Sequence, residues 1–187
     1  RTIIPACDLI ILPGSKSVRA DLDFLQEQEW HTDIKKHLRY GGKVFGICGG
    51  YQMLGELIAD PSGIEGPSGE SEGLGYLPIT TTLQQDKTLK NVVGELQLSG
   101  RKVPVSGYEI HAGTSTLSHT ENDKESDQVL DTLLIINGEQ QGLINRDNNI
   151  AGCYLHGLFD EALALQLFLT WLDYDQNLTV DLALQED

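Results

Sequence analysis

The stretch Lys43-Val44-Phe45-Gly46-Ile47-Cys48-Gly49-Gly50-Tyr51-Gln52-Met53-Leu54-Gly55 decides how this chain is read. A short β-branched and aromatic run ends at a cysteine with glycines two before and two after it, and a helical segment, predicted over Tyr51 to Ala59, follows at once. Small residues at those offsets permit the sharp strand-to-helix turn of a nucleophile elbow. Such a turn lifts Cys48 to the carboxyl end of the strands, where open α/β sheets bind their ligands. A thiol at the start of a helix also faces unpaired N–H groups and the positive end of the dipole, which favour thiolate. A cysteine that only filled a core would need none of these glycines.

A nucleophilic thiol needs a base, and the chain has five histidines. His31 and His37 lie among Gln, Glu, Lys and Arg and read as solvated residues of a surface helix; His119 lies in a polar loop. His156 follows the apolar run Ile150-Ala151-Gly152-Cys153-Tyr154-Leu155 and precedes Gly157 and a helical pattern. It repeats the placement of Cys48 and is the better candidate base. His111, in Gly107-Tyr108-Glu109-Ile110-His111, reads equally well as functional or structural.

The rest of the chain alternates α and β at first and becomes β-rich in the middle. Asp8 to Leu12 and Lys43 to Ile47 are predicted strands, with one or two helices from Ser17 to Tyr40 stopped by Gly41-Gly42. Asp60 to Gly75, rich in glycine with Pro61 and Pro67, is predicted loop. Leu77 to Leu83, Val92 to Leu98 and Val103 to Ile110 are predicted strands, with a hairpin turn over Ser99 to Lys102. Leu133 to Asn137, Gly142 to Asn145 and Ile150 to Leu155 return as strands. Glu161 to Asp173 is a predicted helix burying Ala162, Leu165, Phe168, Leu169 and Leu172. Ser118 to Gln128 reads as a polar, disordered loop and the tail from Tyr174 as a loose acidic end.

With 187 residues, 40% of them hydrophobic, the chain has enough apolar material for one domain with one substantial core. Its formal net charge of −15 argues against nucleic acid or an anionic membrane as a partner, since both demand basic patches. Neither a membrane-length apolar run nor a readable signal peptide appears, which fits a cytoplasmic enzyme. Three cysteines without a Cys-x-x-Cys pair make neither a disulfide framework nor a metal site, and Cys7 and Cys153 read as small apolar residues in or beside strands.

Four motifs in order carry a family resemblance: Leu12-Pro13-Gly14-Ser15-Lys16, the elbow from Gly46 to Gly55, Gly107-Tyr108-Glu109-Ile110-His111, and Tyr154-Leu155-His156-Gly157-Leu158-Phe159. Together they resemble class I glutamine amidotransferase domains, and among these the glutaminase domains of the cobyric acid synthase family. The resemblance implies a flavodoxin-like, mostly parallel sheet flanked by helices, with a β-rich insertion. Residues 1–187 would be a glutaminase domain lacking its first strand and helix, with an ATP-binding synthetase domain expected upstream. Glutamine would be the substrate. The domain itself would need neither metal nor cofactor. ATP, Mg and the corrinoid whose carboxylates are amidated in cobalamin biosynthesis would bind the synthetase domain.

The same resemblance implies site roles. Cys48 would be the nucleophile and His156 the base. Gly49 N–H, directly after the nucleophile, is one natural oxyanion donor, and the Gly14-Ser15 backbone would be the second. Most class I relatives carry a glutamate two residues after the histidine, but here that position is Leu158, so a Cys–His pair would suffice or Glu109 or Asp160 would replace it. Two other readings remain: an amidotransferase of the same branch acting on a cell-wall lipid precursor, and a binding module that keeps the fold without the chemistry.

Overall fold

The structure, a computed structural model, describes residues 1–118 and 130–174, with 86–88 described as backbone only. The readings of His119, of most of the polar run after Ser118 and of the acidic tail lie outside these residues. β1 (Leu9–Leu12) runs parallel to β2 (Lys43–Ile47), and β2 parallel to β9 (Ile150–Cys153). Because all three point the same way, Pro13-Gly14, Cys48 and Tyr154 leave the sheet at one edge.

Between β1 and β2 lie α1 (Val18–Glu27) and α2 (Trp30–Arg39). α1 buries Val18, Leu22 and Leu25 on one stripe, and α2 buries Ile34. Gly41 at φ 86° ends α2, a conformation that a side chain resists. His37, expected to be solvated, instead hydrogen-bonds the Lys43 carbonyl at 2.9 Å and fills the space over Gly42.

After Cys48 the structure departs from the predicted helix of Tyr51 to Ala59. α3 spans only Gly49–Met53, and Leu57–Asp60 is a strand, β3. The chain turns at Gly55, whose Cα packs so tightly on the Ile79 carbonyl that a Cβ would lie 2.6 Å from it. Beyond the turn Ile58 and Asp60 are buried in alternation, a period of two. The predicted loop from Asp60 to Gly75 likewise contains β4 (Gly69–Glu72), antiparallel to β3. Asp60 organises the turn before it by accepting Ile64 N–H at 2.7 Å and Glu65 N–H at 3.0 Å.

The β-rich middle forms one long ribbon, β5 (Ile79–Leu98) and β6 (Arg101–Leu117), with a register shift between Thr82 and Lys87. Ser99 and Gly100 at the tip both have positive φ, 52° and 70°, matching a type I′ turn that follows the twist of its strands. Asn137-Gly138 makes the same kind of turn between β7 (Asp131–Ile136) and β8 (Glu139–Ile144). The sheet order is β1-β2-β9-β8-β7-β5-β3-β4, with β6 on β5 and β10 (Leu155–His156) on β6. Parallel pairing is confined to β1-β2-β9 and β3-β5; the insertion makes the remainder antiparallel. The sheet is therefore mixed rather than mostly parallel.

Helices cover both faces of β2. Val44 belongs to the core under α1 and α2, while its neighbour Phe45 belongs to the core under α4 (Ala162–Trp171). There Phe45 meets Phe168 edge to face at 5.0 Å. α4 buries Ala164, Leu167, Phe168 and Trp171, so of the predicted stripe only Phe168 is fully buried, with Leu172 packed partly buried against the same core. The helix is apolar almost all round, and periodicity cannot pick a face from such a sequence. Cys153 is buried as expected, whereas Cys7 is exposed. Among the described residues no helix is long and apolar enough to cross a membrane.

Candidate active site

Cys48 sits at φ 53° and ψ −110°, a backbone conformation that costs a non-glycine residue about 1–3 kcal/mol. Close packing on every side holds it there. Its N–H donates to the Cys153 carbonyl at 2.9 Å, tying the elbow to β9. A Cβ at Gly50 would lie 1.9 Å from the Leu12 carbonyl, and one at Gly46 would lie 2.7 Å from Tyr51 N. The glycines therefore let three strand ends and a helix start meet around one thiol.

β10 pairs with β6 so that His156 lies opposite Tyr108, whose ring stacks on the imidazole at 5.1 Å and 8°. Gly14 brings the pair together. A Cβ placed on it would be 3.4 Å from His156 Cε1 and 3.7 Å from Cys48 Cβ. Cys48 and His156 both line a cavity of about 550 Å³, whose wall also includes Gly14, Ser15, Lys16, Gln52, Glu65, Ile110 and His111.

Electrostatics leave this pair neutral at rest. Burial pushes the Cys48 thiol above its ordinary value; a hydrogen bond from Gly49 N–H pulls the other way, and nearby Glu65 adds to the rise. The expected helix-terminus stabilisation of thiolate is thus outweighed, since α3 is only one turn long and the thiol is buried. Burial also lowers the His156 pKa, partly opposed by the Ile110 carbonyl. The thiol donates to Ile110 O at 3.3 Å, while the buried Nε2 of His156 has no hydrogen-bond partner among the described residues.

The remaining sequence candidates separate clearly. Ser15 N lies 2.8 Å from the position of a Cβ on Gly49, so the two candidate oxyanion amides are neighbours. The Ser15 hydroxyl is engaged elsewhere, donating to Asp21 and accepting from Ser17 N–H. Leu158 is buried in the α4 core. Glu109 is also buried, but its carboxylate pairs with Lys90 at 3.0 Å and leaves Oε1 without a partner among the described residues. It bears electrostatically on His111 and Cys153, not on His156. Asp160 is exposed, its N–H closing a turn onto the Gly157 carbonyl. Neither acid is hydrogen-bonded to His156.

His111 joins the cavity wall as a fixed neutral ring. It stacks on Tyr154 at 3.9 Å, its Nδ1 lies 3.0 Å from Gly113 O, and burial lowers its pKa. Gln52, Lys16 and Glu65 were not singled out from the sequence. Gln52 is buried, and its Nε2 reaches Ala112 O at 3.3 Å and Tyr154 Oη at 3.2 Å. Its position four residues after the cysteine, on the inner side of a one-turn helix, was a readable signal. Glu65 accepts Val18 N–H at 2.7 Å from across 47 residues, a tertiary contact with no local sequence signature.

Residues 1–164 match the model of the CobB/CobQ-like glutamine amidotransferase domain, and the chain belongs to that family. It is 50% identical over 184 residues to cobyric acid synthase of Shewanella oneidensis, an overlap of 95% of this chain and 36% of that protein. Against cobyric acid synthase of Aliivibrio fischeri it is 53% identical over 169 residues, 90% of this chain and 33% of the relative. The chain thus spans about a third of the length of these curated relatives. Among solved structures, PurLQS from Thermotoga maritima superposes with a TM-score of 0.63 at 16% identity, covering 91% of this chain and 82% of that one. A structure described as a glutamine amidotransferase superposes with a TM-score of 0.57 at 16% identity, covering 89% and 80%. At that identity the two likenesses establish the fold.

Proposed function

We infer that this member of the CobB/CobQ-like amidotransferase family is the glutaminase of a cobyric acid synthase. It hydrolyses glutamine and supplies the ammonia for ATP-dependent amidation of carboxylates b, d, e and g of adenosylcobyrinic acid a,c-diamide in cobalamin biosynthesis. The observation that carries the reading is the convergence on one cavity of a strained Cys48 and a buried His156 Nε2 without a partner among the described residues. Identity of about 50% to cobyric acid synthases over nearly the whole chain selects this branch over one acting on cell-wall precursors.

The carboxamide of glutamine is a poor electrophile, so a covalent route divides its hydrolysis into two easier steps. The Cys48 proton passes to His156 Nε2 as Sγ attacks the carboxamide carbon. The resulting oxyanion is held by the N–H groups of Gly49 and Ser15, each worth roughly 3–4 kcal/mol in comparable sites. His156 returns the proton to the departing nitrogen, which leaves as ammonia, and a γ-glutamyl thioester remains. His156 then takes a proton from water, the hydroxide displaces the thiolate, and glutamate leaves as the proton returns to Sγ. Because the pair starts neutral, no charge has to be buried before substrate arrives. Lys16, Gln52 and Glu65 give the cavity a polar end for the amino-acid head of the substrate. His111 keeps Tyr154 and hence Gln52 in place.

Under this reading a cytoplasmic synthetase portion of the same polypeptide binds ATP, Mg²⁺ and the corrinoid, whose carboxylates an acidic glutaminase surface would repel. Cys48→Ser tests it in the full-length synthase. Glutamine-driven amidation should disappear while amidation with added ammonia continues. Equal loss with both nitrogen sources would assign Cys48 a structural role instead.

A further inference from the structure

Neither Glu109 nor Asp160 is hydrogen-bonded to His156, so the imidazole is held by other means. Strand β6 does much of this. Tyr108 covers the ring at 5.1 Å, and two residues on, the Ile110 carbonyl accepts the Cys48 thiol at 3.3 Å. No core fixes these two side chains, since Tyr108 is 43% and Ile110 41% exposed. The stretch of strand that carries them has to be fixed by something else.

Glu109 lies between them and faces the other way. It stands opposite Leu155 of β10 and Lys90 of β5 in the ladder, and its carboxylate meets the Lys90 ammonium at 3.0 Å. Alternate residues of a strand share a face, so Glu109 is buried on the core side with Val105 while Tyr108 and Ile110 lie on the other. Stability does not account for a carboxylate here. A buried ion pair is often no better than apolar side chains of like volume, because desolvation offsets the attraction. Glu109 Oε1, without a partner among the described residues, adds to the cost. What such a pair does better than a leucine is select one register.

The β5–β6 ribbon needs that selection at this point. Its ladder breaks where Thr82 pairs with Thr114 and Lys87 with Ala112, so the step from 82 to 87 on β5 answers only the step from 114 to 112 on β6. Lys90 and Glu109 are the first oppositely charged pair beyond the break. A slip of one residue would turn Tyr108 and Ile110 to the core side and Glu109 to solvent. We propose that Glu109, through its pair with Lys90, is a positioning residue for the Cys48–His156 site; the proposal rests on the glutaminase reading above. The pair holds residues 108–112 in the one register that puts Tyr108 on the imidazole and the Ile110 carbonyl at the thiol. Glu109 touches neither reacting group and acts by its place in the ladder, not by its charge.

The test compares Glu109→Leu with Glu109→Gln in the full-length synthase. Leucine suits the core side of the ladder, and the Lys90 side chain, 47% exposed, can turn to solvent, so no charge is left buried alone. Chemical denaturation should therefore show no loss of stability in Glu109→Leu. Glutamine-driven amidation should still fall roughly tenfold, well within the cost of misplacing a reacting group by about 1 Å. Ammonia-driven amidation should stay unchanged. The amide of Glu109→Gln keeps an acceptor for the Lys90 ammonium, so this variant should recover most of the glutamine-driven rate, which a role for the carboxylate charge would forbid. Because Glu109 acts through Tyr108, adding Tyr108→Leu to Glu109→Leu should cost little more than either change alone. Full glutamine-driven activity in Glu109→Leu overturns the proposal, and so does a Gln variant as impaired as the Leu variant. Losses that multiply in the double variant, equal loss with both nitrogen sources, or a Glu109→Leu protein that fails to fold would make the pair a stabilising contact only, and each also overturns it. A wild-type synthase that uses ammonia but not glutamine refutes the glutaminase reading itself, an outcome separate from any difference among the variants.

Discussion

Two walls of the same cavity are built on opposite principles. On one side the ends of β1, β2 and β9 are locked together by backbone contacts, with Gly50 against the Leu12 carbonyl and Cys48 N–H on the Cys153 carbonyl. On the other side a two-stranded ribbon carries exposed Leu89, Val93, Tyr108 and Ile110 on its outer face. The locked wall fixes Cys48 in a strained conformation that only dense surroundings can maintain. The ribbon touches the His156 ring through Tyr108 and the Cys48 thiol through the Ile110 carbonyl while keeping one face in solvent. Position comes from the first wall, and the second is where the chemistry can be adjusted.

If this contrast is right, substitutions in the two walls should fail in different ways. The largest effect belongs to His156, the proposed base, which both walls hold. His156→Ala should lower glutamine hydrolysis about 10³-fold, within the range for loss of general acid–base catalysis, and leave ammonia-driven amidation intact. Steady-state glutamate release measures this, and normal turnover in the variant would remove the Cys48–His156 assignment.

Gly50→Ala comes next and acts on the locked wall. Its Cβ would meet the Leu12 carbonyl at 1.9 Å, and since both contacting groups are backbone, the strand ends must separate. A loss of about 3 kcal/mol in stability is expected from overpacking of this kind, read by chemical denaturation. A variant of wild-type stability would show that the elbow is looser than described.

The smallest effect should come from the ribbon and should appear as a shift along the pH axis. Burial keeps His156 below its ordinary value of 6.5, so the imidazole stays in its basic form until pH falls through that lowered value. The acid limb of kcat/KM should accordingly lie below pH 6.5. Tyr108→Leu uncovers one ring face, admits water and lets the pKa climb back towards 6.5, so the limb should move to higher pH with a rate loss of up to about tenfold. A limb that stays in place, or moves down, would mean that the stack does not control the imidazole.

The locked wall was also the legible one. Gly46, Cys48 and Gly50 announce their turn through spacing, and Leu12-Pro13-Gly14 and Leu155-His156-Gly157 mark strand ends, because close backbone approach demands glycine at fixed offsets. β2 appears where β-branched and aromatic residues predicted it, Lys43–Ile47. The reading failed where local pattern was ambiguous or tertiary contacts decided. Leu57–Asp60 looked like the end of a helix and is a strand, because Gly55 turns onto Ile79 and β5 offers a pairing edge. α4 hid its buried face in an all-apolar sequence. Glu65 could not be found from sequence because its link to Val18 crosses most of a domain half, and Gln52 was overlooked inside a motif read for its glycines. The opposition of Leu89 and Ile110 depends on a register set beyond an irregularity between Thr82 and Lys87, which periodicity alone cannot supply.

The central claim is that the cavity directs glutamine chemistry to Cys48 despite the raised pKa of its thiol. Treating the full-length synthase with a diazo-ketone analogue of glutamine and mapping the modified peptide tests this most directly. Cys7 is exposed and Cys48 and Cys153 are buried, with Cys153 pushed up to about 12, so reagent access and substrate-directed reaction make opposite forecasts. The account predicts a single label on Cys48, slowed by excess glutamine and absent in His156→Ala. Labelling of Cys7 with Cys48 untouched would contradict it.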